Sequence, residues 1–214
     1  EDILRDVGYI IGGKQCGVIG FGMIGRRIAE ALQKRSVPVQ IGDLQNAARL
    51  KARLHNIETA AMSELLKNSA ILFSATATQS VTASMLREAN DGIMLVSGGS
   101  KANEFDVEGI KKSAIGHEQL TEHLTKYHFP WGKACVLANS GKAVNFLKGG
   151  SPEEIMDVVF AEQVVCIEHL ALSMPSLGQV NELEPMHREE IAGVWIDFQK
   201  NFGMGAFKGN QSQN

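Results

Sequence analysis

Short apolar runs and amphipathic stretches alternate along the chain. Residues 1–11 read as a lead-in helix, with Ile3, Leu4, Val7, Ile10 and Ile11 at helical spacing and Gly12 and Gly13 ending it. An apolar strand follows up to Ile19. After it, Ile24, Ile28, Ala31 and Leu32 mark one face of a helix reaching about Arg35. The next strand covers 37–41. A helix over 46–56 is expected to turn Leu50 and Leu54 inward and Lys51 and Arg53 outward. A short strand at 57–60 precedes a helix capped by Ser63 and carrying Glu64, Leu65 and Leu66. Residues 70–74 and 92–96 read as strands buried on both faces, with a helix over 82–89 between them. Such alternation predicts a parallel sheet covered by helices on both sides.

Beyond Ser100 the rhythm changes. A short helix fits 105–112, strands fit 120–129 and 134–138, and turns fit 130–133 and 139–141, so a β-hairpin extends the sheet. Ser151 and Pro152 open a helix to about Leu172, apolar on most of its sides. Glu184 and Pro185 open a last helix with Ile191, Val194, Trp195, Phe198 and Phe202 on one side. The fold class is therefore α/β, a Rossmann-type doubly wound parallel sheet with a C-terminal β-hairpin and added helices. One domain is expected over 1–202, with a glycine-rich, polar tail at 203–214.

The loop after the first strand carries Gly20, Gly22 and Gly25 in G-x-G-x-x-G spacing. Each glycine answers a separate demand: a sharp turn off the strand, close approach of a pyrophosphate, and tight packing of helix on sheet. The helix start adds unpaired N–H groups and a positive dipole end. Asp43 closes the second strand eighteen residues after Gly25, where a ribose-binding acid belongs. Ligands of such sheets bind beyond the carboxyl ends of the strands, so the glycine turn, Asp43, the loop at Thr76 and the loop at 97–100 should converge.

Composition narrows the class further. The chain has 214 residues and a net charge of -3, with no basic cluster, which argues against a nucleic-acid partner. No apolar run is long enough to span a bilayer, and no signal peptide opens the chain. It begins at Glu1 rather than Met, as a processed chain or a piece of a longer one would. Cys16, Cys135 and Cys166 are scattered and read as buried apolar residues in a reducing, cytoplasmic compartment. No metal site is expected, since no further ligands stand at matching spacing near His123 and His128.

The order of motifs resembles the NAD-binding domain of the S-adenosyl-L-homocysteine hydrolase family over residues 4–192. Besides the glycines, the resemblance rests on Phe105-Asp106-Val107-Glu108 and on Ala138-Asn139-Ser140-Gly141-Lys142-Ala143-Val144-Asn145-Phe146, which is similar to the family's A-E-G-R-L-V-N-L run. The helix from Pro152, with Phe160 and Gln163, matches in place and character. The resemblance implies that Gly20, Gly22, Met23, Ile24 and Gly25 hold the pyrophosphate of NAD. By the same token Asp43 binds the adenosine ribose, and its charge disfavours the 2′-phosphate of NADP. Thr76, Ala77 and Thr78 would cover the dinucleotide. Ser97, Gly98 and Gly99 would lie below the nicotinamide, and Asn145 would bond its carboxamide. The family is built from subunits packed through the long apolar helix, which implies a homo-oligomer.

The chain also departs from the family pattern. Ser100 stands where the family has a histidine, with extra residues before Phe105, and Ser151 stands for a second histidine. Serine does not titrate near neutral pH. Ala48 replaces an asparagine. The family's catalytic lysine and aspartate, and its substrate-binding domain, lie upstream of the segment matched by Glu1. Phe207 and Lys208 resemble a tail that reaches a neighbouring subunit's NAD, but Ser212 stands for its tyrosine. The implied function is to hold NAD for reversible oxidation of a nucleoside ribose 3′-hydroxyl, with no hydrolysis expected of this chain alone. Two alternatives are a non-catalytic NAD-binding or sensing module and an oxidoreductase domain of the 2-hydroxy-acid dehydrogenase type.

Overall fold

The computed structural model describes residues 2–99, 103–145, 147, 153–173, 178 and 180–202. It divides into two compact units, Glu1–Lys148 and Gly149–Asn214. The helix opening at Ser151 and Pro152 and the tail at 203–214 lie outside the described residues.

The first unit begins with α1 (Asp2–Arg5), much shorter than the helix expected over 1–11. Gly8 adopts φ +68, and Tyr9 donates its N–H back to the Leu4 carbonyl, so the chain turns out of the helix ahead of Gly12. Then come β1 (Cys16–Ile19), α2 (Met23–Lys34), β2 (Val39–Gly42), α3 (Asn46–Leu54), β3 (Glu58–Thr59), α4 (Met62–Asn68) and β4 (Ile71–Ser74). A 3-10 turn (Ala83–Arg87) stands where an α-helix was expected over 82–89. After it follow β5 (Ile93–Ser97), α5 (Val107–Ser113), β6 (Gly116–Thr121), β7 (Leu124–His128) and β8 (Ala134–Ala138).

The eight strands form one sheet in the order β3-β2-β1-β4-β5-β8-β7-β6. All pairs from β3 to β8 are parallel, and β7 pairs antiparallel with both β8 and β6. The direction of winding reverses between β1 and β4, which places a crevice beyond their carboxyl ends. Val18, Ile41, Ile71 and Val136 belong to the core on one side of the sheet, and Leu65, Leu72, Leu95 and Leu137 to the core on the other. That two-sided burial explains the near-continuous apolar character of the central strands.

Four local expectations are corrected. Residues 120–129 are not one strand: they hold the end of β6, a turn, and β7. The first four residues of β6 are exposed and its sequence is polar, so the strand at the edge carries no hydrophobic alternation to read. In α3 the side chains of Leu50 and Leu54 are 61% and 76% exposed, while Ala52 is buried and Ala48 packs against the core. Both pairs are apolar and stand on faces roughly 200° apart; the small face permits the closer approach. The cap of α4 is Ala61 rather than Ser63, and the Glu64 carboxylate accepts the Ala61 N–H at 3.1 Å. Finally, Cys166 is exposed, whereas Cys16 and Cys135 are buried as expected.

Burial pushes the Cys16 and Cys135 thiols up from 9.0 to about 12. The folded state therefore holds these protons more tightly than the unfolded chain does. Their contribution to stability is fully present below about pH 9 and is lost as pH rises from there toward about 12. Titration with a thiol reagent at pH 8 should modify at most one cysteine per native chain and all three after denaturation. Fast native labelling of a second thiol would contradict the buried placement.

The second unit contains α6 (Glu153–Leu172) and α7 (Pro185–Phe202). Arg188 of α7 lies 3.9 Å from Glu162 of α6 and 4.0 Å from Glu182. Ile155, Val164, Ile167 and Leu170 of α6 are each more than half exposed. No helix among the described residues is long and apolar enough to cross a membrane.

Candidate functional site

Backbone hydrogen bonds stitch the strand ends together along one edge of the sheet. Gly20 N–H donates to the Gly42 carbonyl at 2.8 Å, Ala75 N–H to Ile19 at 2.9 Å, Gly98 N–H to Ser74 at 2.8 Å, and Val144 N–H to Ser97 at 3.2 Å. The loops after β1, β2, β4 and β5 and the segment leading to Asn145 are thereby brought side by side. The backbone brings together the glycine turn, Asp43, the Thr76 loop and the described part, 97–99, of the loop expected over 97–100.

Within the glycine turn, Gly20 has φ +89, and a Cβ there would stand 2.7 Å from the Ala75 carbonyl oxygen. Gly25 is buried, and a Cβ on it would overlap the Gly20 carbonyl oxygen. Gly22 differs from both. It is exposed, and nothing lies within 4 Å of where its Cβ would be. No side chain caps the start of α2, so its first N–H groups face this open cradle. Met23 and Ile24 are 82% and 46% exposed beside it; Ile24 is thus outside the buried face, where Gly25, Ala29 and Leu32 are buried and Ile28 packs against the core. An open glycine cradle at an uncapped helix start has the shape and polarity a pyrophosphate requires.

Asp43 follows β2 directly. Its Oδ2 accepts the Phe21 N–H and its Oδ1 accepts the Gln45 N–H, both at 2.8 Å. The carboxylate therefore braces the glycine turn from the side, and each oxygen keeps a lone pair for a further donor.

The 76–78 loop is organised by a residue that no sequence motif marks. Glu104 is completely buried. Its carboxylate accepts from Ser74 Oγ at 2.6 Å, Thr76 Oγ1 at 2.8 Å, Thr76 N at 3.0 Å and Ala77 N at 2.8 Å. Thr76 is thus turned inward, and Ala77, at φ +59, and Thr78 are the exposed members of the loop. Gly99 leaves the room Glu104 needs, since a Cβ there would overlap its Oε1. Glu104 is drawn in by long-range pairing, with Ser80 N–H donating to the Glu104 carbonyl and Asp106 N–H to the Val81 carbonyl. Asp106 itself caps α5 by accepting the Gly109 N–H at 2.9 Å.

Ser97, the last residue of β5, is fully buried, and its Oγ has no hydrogen-bond partner among the described residues. Asn145 is exposed, one residue past the Val144–Ser97 bond. Asn139 and Ser140 both hold positive φ, and the Asn139 amide donates to the Ala143 carbonyl at 2.7 Å, which fixes the approach to Asn145. Ser100, Ser151, Phe207, Lys208 and Ser212 lie outside the described residues.

A parallel sheet in 3-2-1-4-5 order, a glycine turn at its switch point and an acid closing the second strand define a dinucleotide-binding domain of Rossmann type. Comparisons with known proteins refine this. The family model described as "S-adenosyl-L-homocysteine hydrolase, NAD binding domain" matches residues 1–150. The chain belongs to that family, and NAD is the cofactor of its fold. An adenosylhomocysteinase of Saccharolobus solfataricus is 30% identical over 91% of this chain and 47% of its own length. An S-inosyl-L-homocysteine hydrolase of Methanosarcina mazei is 27% identical over 83% of this chain and 44% of its own. The chain spans about half the length of these curated relatives. Among solved structures, a dipicolinate synthase polypeptide of Bacillus halodurans matches over 52% of this chain and 40% of its own at 19% identity, with a TM-score of 0.46.

Proposed function

We propose that this chain is the NAD-holding part of an enzyme that cleaves the thioether between a nucleoside and homocysteine. The observation that carries the reading is the uncapped, open glycine cradle lying beside Asp43. In this reading Gly20, Gly22, Met23, Ile24 and Gly25 hold the pyrophosphate through backbone N–H groups. Asp43 takes the adenosine ribose hydroxyls on its remaining lone pairs. Ala77 and Thr78 cover the dinucleotide, with Thr76 anchoring them from below. Ser97, Gly98 and Gly99 floor the nicotinamide end, and Asn145 offers its amide to the carboxamide. Bound NAD supplies reversible oxidation of a ribose 3′-hydroxyl; the chain's own residues bind, orient and shield it. The relatives' names differ in the nucleoside, adenosine in one and inosine in another.

The same reading makes these 202 residues one functional domain working with an upstream substrate-binding domain, in a cytoplasmic homo-oligomer that covers the exposed apolar residues of α6. Neither nucleic acid nor a membrane is a partner in it. The purified chain tests the proposal. It should release NAD on denaturation and scatter light as more than one copy. Incubated with S-adenosylhomocysteine, it should liberate no homocysteine thiol until the substrate domain is supplied. A chain that carries no nucleotide and takes none up would sink the reading.

A further inference from the structure

Glu104 does more than tie down a loop. Its partners among the described residues are neutral: the N–H groups of Thr76 and Ala77 and the hydroxyls of Ser74 and Thr76, the last shared with the Thr78 carbonyl, a set that suits an ionised carboxylate. Two of the donors are hydroxyls and two are backbone N–H groups. They solvate the charge without cancelling it. Because the side chain is fully buried, water screens its field far less than that of a surface carboxylate. The carboxylate lies between the 76–78 loop, which it holds, and Gly99, whose missing Cβ makes room for it. The proposed function gives the first loop to the cover of the dinucleotide and the second to the floor of its nicotinamide end, and the role inferred for Glu104 rests on that assignment.

The oxidised nicotinamide ring carries a positive charge and the reduced ring does not. An uncompensated negative charge next to it therefore favours one form over the other. We infer that Glu104, buried between the two loops that follow β4 and β5, biases this crevice toward oxidised over reduced cofactor. A cofactor held in that way stays poised to accept a hydride and is harder to leave stranded in reduced form. Loop bracing alone would act on both forms equally, because their phosphates and riboses are identical.

The test is calorimetric titration of the chain with NAD+ and with NADH, for the wild type, Glu104→Gln and Glu104→Asp. Gln keeps the size and removes the charge; Asp keeps the charge on a shorter arm. The ratio of the NADH Kd to the NAD+ Kd should fall on the order of tenfold in Glu104→Gln and stay within about twofold of wild type in Glu104→Asp, even if both affinities weaken. Parallel weakening of the two forms in Glu104→Gln would reduce Glu104 to a brace and overturn the inference while leaving the cofactor assignment standing. If Glu104→Gln does not unfold cooperatively, the wild type decides. Tighter binding of NAD+ than of NADH supports the inference, and NADH bound as tightly as NAD+ overturns it. A wild-type chain that binds neither form overturns the assignment of the crevice and the inference with it.

Discussion

Replacing Gly25 by alanine should weaken NAD binding about 100-fold and lower the melting temperature of the chain. The single added carbon would overlap the carbonyl oxygen of Gly20, which ends the turn off β1. Backbone does not yield as the tip of a side chain does, so α2 must shift away from the sheet. Overpacking of this kind costs typically about 1–3 kcal/mol, and it acts where the first N–H groups of α2 are aimed. A shift on the order of 1 Å there misdirects all of them at once. Calorimetry with NAD, paired with thermal unfolding, reads both effects. Wild-type affinity in Gly25→Ala would mean that the helix start does not hold the phosphates. Gly22→Ala is the informative companion, because space around Gly22 is open. It should leave the melting temperature nearly unchanged and lower affinity alone.

The second large effect is expected at Asp43. Its two oxygens accept the N–H groups of Phe21 and Gln45, so the side chain both shapes the glycine turn and faces the ribose in the proposed complex. Asp43→Ala removes a charge-assisted bond to the ribose, about 1.5–3 kcal/mol, which is roughly a 10- to 100-fold rise in Kd. Selectivity should collapse too, because the charge that repels a 2′-phosphate is gone. Asp43→Asn separates the two roles. Its one carbonyl oxygen keeps one of the two backbone N–H bonds and its amide NH2 faces the other N–H, so it should recover only part of the NAD affinity and remain permissive toward NADP. If NADP already competes equally with NAD in the wild type, Asp43 does not face the 2′ position.

What could be read from the sequence was local. Gly20, Gly22, Gly25 and Asp43 lie within one strand–turn–helix–strand unit, and their spacing is dictated by that unit's geometry. The apolar runs of β4, β5 and β8 are legible because burial on both faces leaves no room for polar residues. Other features depended on choices the local pattern leaves open. In α3 two apolar pairs compete for the core, and only packing distance decides for Ala48 and Ala52 against Leu50 and Leu54. β6 is polar because it lies at the sheet's edge, a position set by its partner β7. The length of α1 turned on Gly8, one residue inside an otherwise convincing helical repeat. Glu104 is the clearest case. An isolated glutamate after a glycine-rich loop reads as solvated surface, and only its distant partners Ser74, Thr76 and Ala77 make it the most deeply buried acid described. Of the family pattern, the glycine turn, Asp43 and Asn145 fall among the described residues.

The two ends of the sheet are unlike its middle. One is β3, only two residues long, and the other is β6, built from Gly116-His117-Glu118-Gln119-Leu120-Thr121. A strand donated by another molecule would find too few backbone groups to pair with at the first and a hydrophilic, well-hydrated ribbon at the second. Fibril-like stacking by strand addition is thereby discouraged at both margins. Copies of this domain can crowd together at high concentration without zipping their sheets into one another.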